Sequence, residues 1–412
     1  MPETAVARRP IVLVTLTFVM TLGILASTIY VPSIPAITRA LGTSVVRVQL
    51  TFVGYLFAFA VGMLVLGPLS DRFGRRRVLF LGLAFGVLGS LACFLAPTIG
   101  FLIGARVMQG IGACAGLVVG RATIRELYGR DGAAQVIAGL AIAMTLVQSF
   151  APIPGGYLQA WLGWRANFAA VTVFAIAALA LALRYTPETS APPRPGMGSA
   201  PLLARSMLTS YLNLIRTRQF LAYALVAAGA HAGFHIFAAG APAVLIGGFG
   251  VRPTEYGYYA SLPPIGFLVG SFVSNRLSRP LGADAMIRIG SLVLVTAGLV
   301  MLALALFGAA NPYAVVGPMI FVCCGSGLIT PNAVASSLGV DRRIIGAASG
   351  LTSFLQMIGA AGATAALSLG AGRSPVVLAG VVAVAGLSGT AAFGVLIQSA
   401  PRPLAAGPEV AD

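Results

Sequence analysis

The sequence predicts an all-α membrane protein, with twelve transmembrane helices arranged as two pseudo-symmetric bundles of six. Three observations carry that expectation. Of 412 residues, 58% are hydrophobic and only 9% are charged, where soluble chains run near 45–50% apolar and about 25% charged. A helix crosses a bilayer in roughly 20 apolar residues, so the apolar content fills about twelve spans with short connections. The net charge is +16, yet all 26 basic residues are Arg and they gather between the apolar runs. That is how a topology signal is distributed, and no nucleic-acid partner is needed to explain it.

Taken in order, the apolar runs place spans near 11–33, 46–69, 78–97, 99–124, 134–158 and 164–184, then near 219–247, 255–277, 286–308, 312–338, 345–370 and 375–398. Arg8 and Arg9 precede a first run too long for a signal-peptide core and without a cleavage site, so it is expected to stay as span 1. Residues 185–217 hold Pro187, Pro192, Pro193, Pro195 and Pro201, too many for a helix throughout. The expected division is a first bundle over 1–184, a cytoplasmic linker over 185–217 and a second bundle over 218–412. With the N-terminus inside, 20 arginines fall on inner segments and five (Arg39, Arg47, Arg165, Arg252, Arg373) on outer ones. That imbalance places both termini in the cytoplasm of a cell inner membrane.

Within the spans, Gly112, Gly116 and Gly120 repeat every four residues, a small-residue stripe that lets two helices approach closely. Cys93, Cys114, Cys323 and Cys324 sit in apolar runs without metal or redox spacing and read as packing residues. Arg106 is the one arginine inside a span, at a cost of about 2.5–3.5 kcal/mol on insertion scales. It is either functional or a side chain that snorkels to water. His231 and His235 lie four apart on one helix face, and imidazole ordinarily titrates near pH 6.5. They are either proton carriers or simple interhelical hydrogen-bonders, and with no third ligand of proper type no metal site is expected.

The turn after span 2 reads Gly67-Pro68-Leu69-Ser70-Asp71-Arg72-Phe73-Gly74-Arg75-Arg76-Arg77. From the residues alone it is either a solvated turn or a switchable ion-pair cluster. It resembles the signature loop of the major facilitator superfamily, Gly-x-Leu-Ala-Asp-Arg-x-Gly-Arg-Lys, with Ser70 for Ala and Arg76 for Lys. The resemblance implies a latch of Gly67, Asp71, Arg72, Gly74 and Arg75, with Arg125 and Glu126 as its partner pair. Arg106, Gln109 and Gly110 are similar to that family's Arg-x-x-Gln-Gly run, in which the Arg is implicated in proton coupling. Ala151-Pro152-Ile153-Pro154-Gly155-Gly156 resembles its antiporter motif, with Ala151 for the first Gly. By itself the run is a helix break; the resemblance makes Pro152, Gly155 and Gly156 a hinge in an exporter.

Tyr30-Val31-Pro32-Ser33-Ile34-Pro35, Gly163-Trp164-Arg165 with Phe168, and Gly346-Ala347-Ala348-Ser349-Gly350 with Phe354-Leu355-Gln356 narrow the resemblance to the drug-exporting Bcr/CflA branch, the bicyclomycin and chloramphenicol resistance type. Many of its members carry an acid two residues before the Tyr, where this chain has Thr28. None of the ten acidic residues falls mid-span. The expected function is efflux of several drugs or of a small amphipathic compound by alternating access, in exchange for protons carried with the help of Arg106, His231 and His235. The alternative is a proton-coupled uptake symporter or a facilitator on the same fold. The resemblance also turns Tyr30, Gln148, His235, Asn332 and Gln356 inward as substrate residues. A small lipophilic substrate, protons and the bilayer are the expected partners of a monomer. No cofactor is expected, and no nucleophile with a base or paired intramembrane acids points to an enzyme.

Overall fold

The computed structural model describes residues 9–189, 200–309, 311–340, 344–369 and 374–398. Arg8, Arg194, Arg342, Arg343, Arg373 and Arg402, with Glu3, Asp341, Glu409 and Asp412, lie outside the described residues, as do the side chains of Arg9, Arg130, Asp131 and Arg205. The apolar runs form α1 (Arg9–Thr28), α2 (Ile34–Ala40), α3 (Val45–Phe73), α4 (Arg75–Leu95), α5 (Ile99–Phe150), α6 (Pro152–Leu162) and α7 (Trp164–Tyr185). After α8 (Ala200–Arg216) come α9 (Arg218–Leu245), α10 (Pro253–Leu281), α11 (Ala283–Leu306), α12 (Pro312–Gly339), α13 (Ile345–Leu369) and α14 (Pro375–Gln398).

Helix starts fall where a side chain can satisfy the orphan amides. Ser44, Thr98 and Asn311 accept hydrogen bonds from the backbone N–H of Arg47, Phe101 and Tyr313. Gly74 turns the chain between α3 and α4 at φ +97°, in the left-handed region that side chains disfavour.

Three expectations are adjusted. The first span, expected near 11–33, has its helix α1 end at Thr28 and continues through a 3-10 turn, Val31–Ser33, into the short α2. Pro32 and Pro35 remove the amide donors a continuous helix would need there. Spans 4 and 5 are joined almost without a loop, since helical structure runs from Ile99 to Phe150 and is interrupted at Gly129, φ +69°. The linker is half helix: α8 begins at Ala200 with Pro201 in its first turn, where a missing amide is tolerated, and packs against α9 and α13.

Eleven helical segments among the described residues are long and apolar enough to cross a bilayer. The twelfth expected span, α10, has 29 residues, long enough to cross, but its tyrosines, serines and three internal prolines make it less apolar. Leu81, Leu88, Val173, Ile176, Leu292 and Val300 point outward, as a lipid solvent permits. Inside, α5 packs against α1, α3 and α4, while α9 packs against α12, α13 and α14. The glycine stripe serves two partners at once. A Cβ on Gly112 would run into the backbone of Gly86 in α4, and one on Gly116 or Gly120 into Val19 or Met20 of α1.

Candidate functional site

Two ends of the molecule differ. One end, here the basic end, carries Arg72, Arg75, Arg76, Arg77, Arg121 and Arg125. At the other, helices from the two halves of the chain are pressed together. The antiporter-like run lies in this closed seam. A Cβ on Gly156 would collide with the Pro253 carbonyl at the start of α10, one on Gly257 would come within 2.6 Å of Ile153 Cα, and one on Gly155 would overlap the Ile29 carbonyl. Asn167 Nδ2 donates to the Gly155 carbonyl (3.1 Å) and to Ser33 Oγ (2.8 Å), tying the run to the turn after α1. Ala151 keeps helical dihedrals, φ −56° and ψ −34°. The break is therefore one of missing donors at Pro152 and Pro154, with no change of backbone class at Ala151. Beside it, Gln49 Nε2 donates to the Ala239 carbonyl (3.3 Å) and Ser368 Oγ to Gln49 Oε1 (3.2 Å).

At the basic end the halves stand apart. A cavity of about 550 Å³ opens between α3 and α5 on one side and α8 and α13 on the other, within the ~300–1,000 Å³ typical of small-molecule sites. Its walls include Gly67, Asp71, Arg72, Arg75, Arg121 and Arg125, facing Tyr211, Gly346, Ser349, Gly350 and Ser353. The signature-like turn forms its rim. Arg75 pairs with Asp71 and with Glu126, its Nε and Nη2 lying 3.1 and 3.0 Å from Glu126 Oε1, and Nη1 also donates to Ser70 Oγ (2.6 Å).

Of the residues expected in this latch, Asp71, Arg75 and Glu126 come together and Gly74 makes the turn, while Gly67 lies inside α3, where a Cβ would meet only Val118 at an ordinary 3.8 Å. Arg72 lies over the Phe73 ring at 5.4 Å, and neither Arg72 nor Arg125 makes an ion pair among the described residues. Two participants had been read only as parts of the linker. Glu188 accepts the amides of Arg75 (3.0 Å) and Arg76 (3.1 Å) at the start of α4, where a helix terminus favours an anion. Thr189 hydrogen-bonds Glu126 Oε2.

Arg106 does not snorkel. It is fully buried, with its guanidinium between the rings of Tyr30 (4.3 Å) and Tyr55 (4.2 Å). Nη1 donates to the Ala26 carbonyl (2.9 Å) and to Gln109 Oε1, and Gln109 Nε2 passes the chain on to Ser90 Oγ (2.8 Å). Each ring face contributes about 0.5–2 kcal/mol to a desolvated guanidinium, comparable with the insertion cost of the charge. Nε and Nη2 have no hydrogen-bond partner among the described residues. Thr28, in the position where the resemblance expects an acid, spends its hydroxyl on the Ile24 carbonyl (2.8 Å).

The rings of His231 and His235 meet at a 45° tilt with centroids 4.6 Å apart, and His235 Nδ1 lies 3.2 Å from the His231 carbonyl. His231 lines a small chamber of about 60 Å³ between the halves, with Gln148 and Thr145 from α5 and Ser326 and Thr330 from α12. Such a space has room for about two waters. His231 Nε2 and Thr330 Oγ1 are buried there without a partner among the described residues.

The five residues expected at the substrate do not gather. Gln148 shares the chamber with His231, whose neighbour is His235, but Tyr30 is packed under Arg106 with its hydroxyl on Thr51 (3.2 Å). Asn332 is committed to Ser274, Ser278 and the Leu328 carbonyl. Gln356 is buried with its Nε2 unpartnered.

Comparison with known proteins agrees with this geometry. The family described as Major Facilitator Superfamily matches residues 16–364. A bicyclomycin resistance protein homolog of Haemophilus influenzae is 28% identical over 343 residues, 82% of this chain and 85% of that protein. A chloramphenicol resistance protein of Pseudomonas aeruginosa is 32% identical over 316 residues, 76% of this chain and 73% of that protein. The crystal structure of a D-xylose-proton symporter superposes with a TM-score of 0.74 at 15% identity, over 95% of this chain and 98% of that one, a likeness of fold alone.

Proposed function

We propose, from the premise that the chain belongs to the major facilitator superfamily and is a multi-pass membrane transporter, that it exports small amphipathic compounds across the cell inner membrane in exchange for protons. The observation that carries this reading is the contrast between the two ends: a drug-sized cavity open at the basic end and a glycine-tight seam at the other. That is one half of an alternating cycle, in which one bundle rocks against the other around a central site. The bundles in this reading are 1–184 and 218–412, joined by 185–217, and the monomer is the working unit.

Export is supported by the Pro152, Gly155 and Gly156 run lying in the seam that has to open, and by relatives named for bicyclomycin and chloramphenicol resistance. The excess of Arg at the basic end supports its facing the cytoplasm, with both termini on that side. In this reading Asp71, Arg75, Glu126 and Glu188 hold the ends of α3, α4 and α5 as one body, so that closing the cavity moves them together. His231 and His235 exchange the proton through the chamber they share with Gln148, and Arg106 sets the charge of the first bundle.

The test is substrate-dependent proton movement in everted vesicles from a drug-hypersensitive host, with susceptibility profiling of the same strain. Export predicts that adding a transported drug to acidified vesicles releases protons, and that His231→Ala or His235→Ala flattens the dependence of transport on pH. Drug that accumulates on the cytoplasmic side down an inward proton gradient would establish uptake. An unchanged pH profile in both histidine variants would remove them from the proton path.

A further inference from the structure

The open cavity is strongly one-sided in charge. Four guanidinium groups line it, those of Arg72, Arg75, Arg121 and Arg125, against one lining acid among the described residues, Asp71. Arg75 is occupied by Asp71 and Glu126. The other three make no ion pair among the described residues, and Arg121 Nε is buried without any hydrogen-bond partner. The facing wall offers the hydroxyls of Tyr211, Ser349 and Ser353 and, among the described residues, no carboxylate. Deeper in, the walls turn apolar at Met63, Leu117 and Val118.

We propose that this cavity is the loading site for amphipathic anions: compounds with an apolar body and one sulfonate, carboxylate or phenolate group. The inference rests on the transport reading and names the substrate class of its open site. The apolar body sits against Met63, Leu117 and Val118, and the anionic group meets Arg121 and Arg125, with Arg72 at the rim. Charge also links binding to the cycle. Closing the α8 and α13 wall over Arg72, Arg121 and Arg125 strips water from three unpaired like charges held on one wall, so an anion that neutralises them favours the closed form more than the open one, and only such differential affinity can shift a conformational equilibrium. A cation receives no such help.

The test compares three probes of equal size on the purified full chain in phosphatidylcholine nanodiscs: 2-naphthalenesulfonate, 2-naphthalenesulfonamide and 2-naphthylmethylammonium, titrated calorimetrically. The sulfonate is expected to bind at least tenfold more tightly than the ammonium, with an affinity that falls as salt is raised. Arg121→Gln is expected to remove that preference and Arg121→Lys to restore most of it, each variant first shown to be monodisperse. Equal affinities for sulfonate and ammonium, or an unaltered preference in Arg121→Gln, overturn the proposal. Phosphatidylglycerol added to the discs is expected to leave sulfonate binding in place; if it abolishes binding, the cavity holds an anionic lipid and the proposal falls. Susceptibility to neutral drugs in the same strain separates the two readings. If neutral drugs are exported while the sulfonate fails to bind, the anion site is wrong and the transporter stands; if nothing is exported, the transport reading itself fails.

Discussion

Arg106 shows how far a single charge can be accommodated without an acid. Its two tyrosine faces, the Ala26 carbonyl and Gln109 replace the carboxylate that the resemblance expects at Thr28. A planar cation is needed for two stacked faces, which an ammonium cannot reproduce. Arg106→Lys is therefore expected to lose about 1–3 kcal/mol of stability and most transport, even though the charge is kept. Tyr55→Phe, which gives up only the hydroxyl bond to the Gly23 carbonyl (2.6 Å), is expected to cost about 1 kcal/mol and to keep transport, while Tyr55→Leu removes a ring face and should not. Thermal unfolding of purified variants beside vesicle transport checks the ordering. Arg106 is conspicuous in the sequence because a charge in an apolar run is costly, and Gln109 only through the resemblance to the Arg-x-x-Gln-Gly run. Nothing there hints at Tyr55 or Ser90, whose relation to Arg106 exists only once α3 and α4 have packed on α5. Glu188 was invisible for the same reason, an ordinary linker acid until the chain returns it to the start of α4.

At the scale of elements, lipid as solvent made most of the fold readable. A segment that cannot leave backbone groups unpaired in hydrocarbon becomes a helix over its whole apolar length, so spans could be read by counting. What counting misses is where polarity and apolarity compete. Prolines split the end of span 1, helix resumes at once beyond the break at Gly129, and α8 starts at the last of the linker's prolines. Close packing is similarly hidden, since a glycine's neighbour is never written beside it. Gly156 is the clearest case, because a side chain there must displace the Pro253 backbone. Gly156→Val is expected to leave the fold intact and hold the seam open. Spin labels placed on Tyr157 and Tyr258, whose hydroxyls lie 3.1 Å apart in the closed seam, should report a longer distance in the Gly156→Val background. An unchanged distance would mean that α6 and α10 can absorb the side chain without parting.

For the molecule as a whole, the two ends cannot both be as they are here in every step of a transport cycle. The seam made by Gly156, Gly257 and Gln49 closes one side, and the cavity rimmed by Arg72 and Gly350 opens the other. Were the bundles independent of each other, a substrate could cross with both ends open and any gradient would leak. The turn at 73–75 joins three helices of the first bundle: Arg75 links α3 to α5 through Asp71 and Glu126, while Glu188 holds the start of α4, so this wall of the cavity is expected to move toward α13 as one block. Cysteines replacing Ala122 and Ser349, which line opposite sides of the cavity, should therefore cross-link poorly through a short bifunctional reagent in the resting protein. Yield should rise when a transported compound is present, together with lengthening of the Tyr157 to Tyr258 label distance in the same preparation. Breaking the rim with Glu126→Gln leaves both end states available but loosens the block, so the rise in cross-linking should survive while its correlation with seam opening weakens. If cross-linking rises with no change at the seam in the unaltered rim, the two ends close independently and alternating access is not how this chain works.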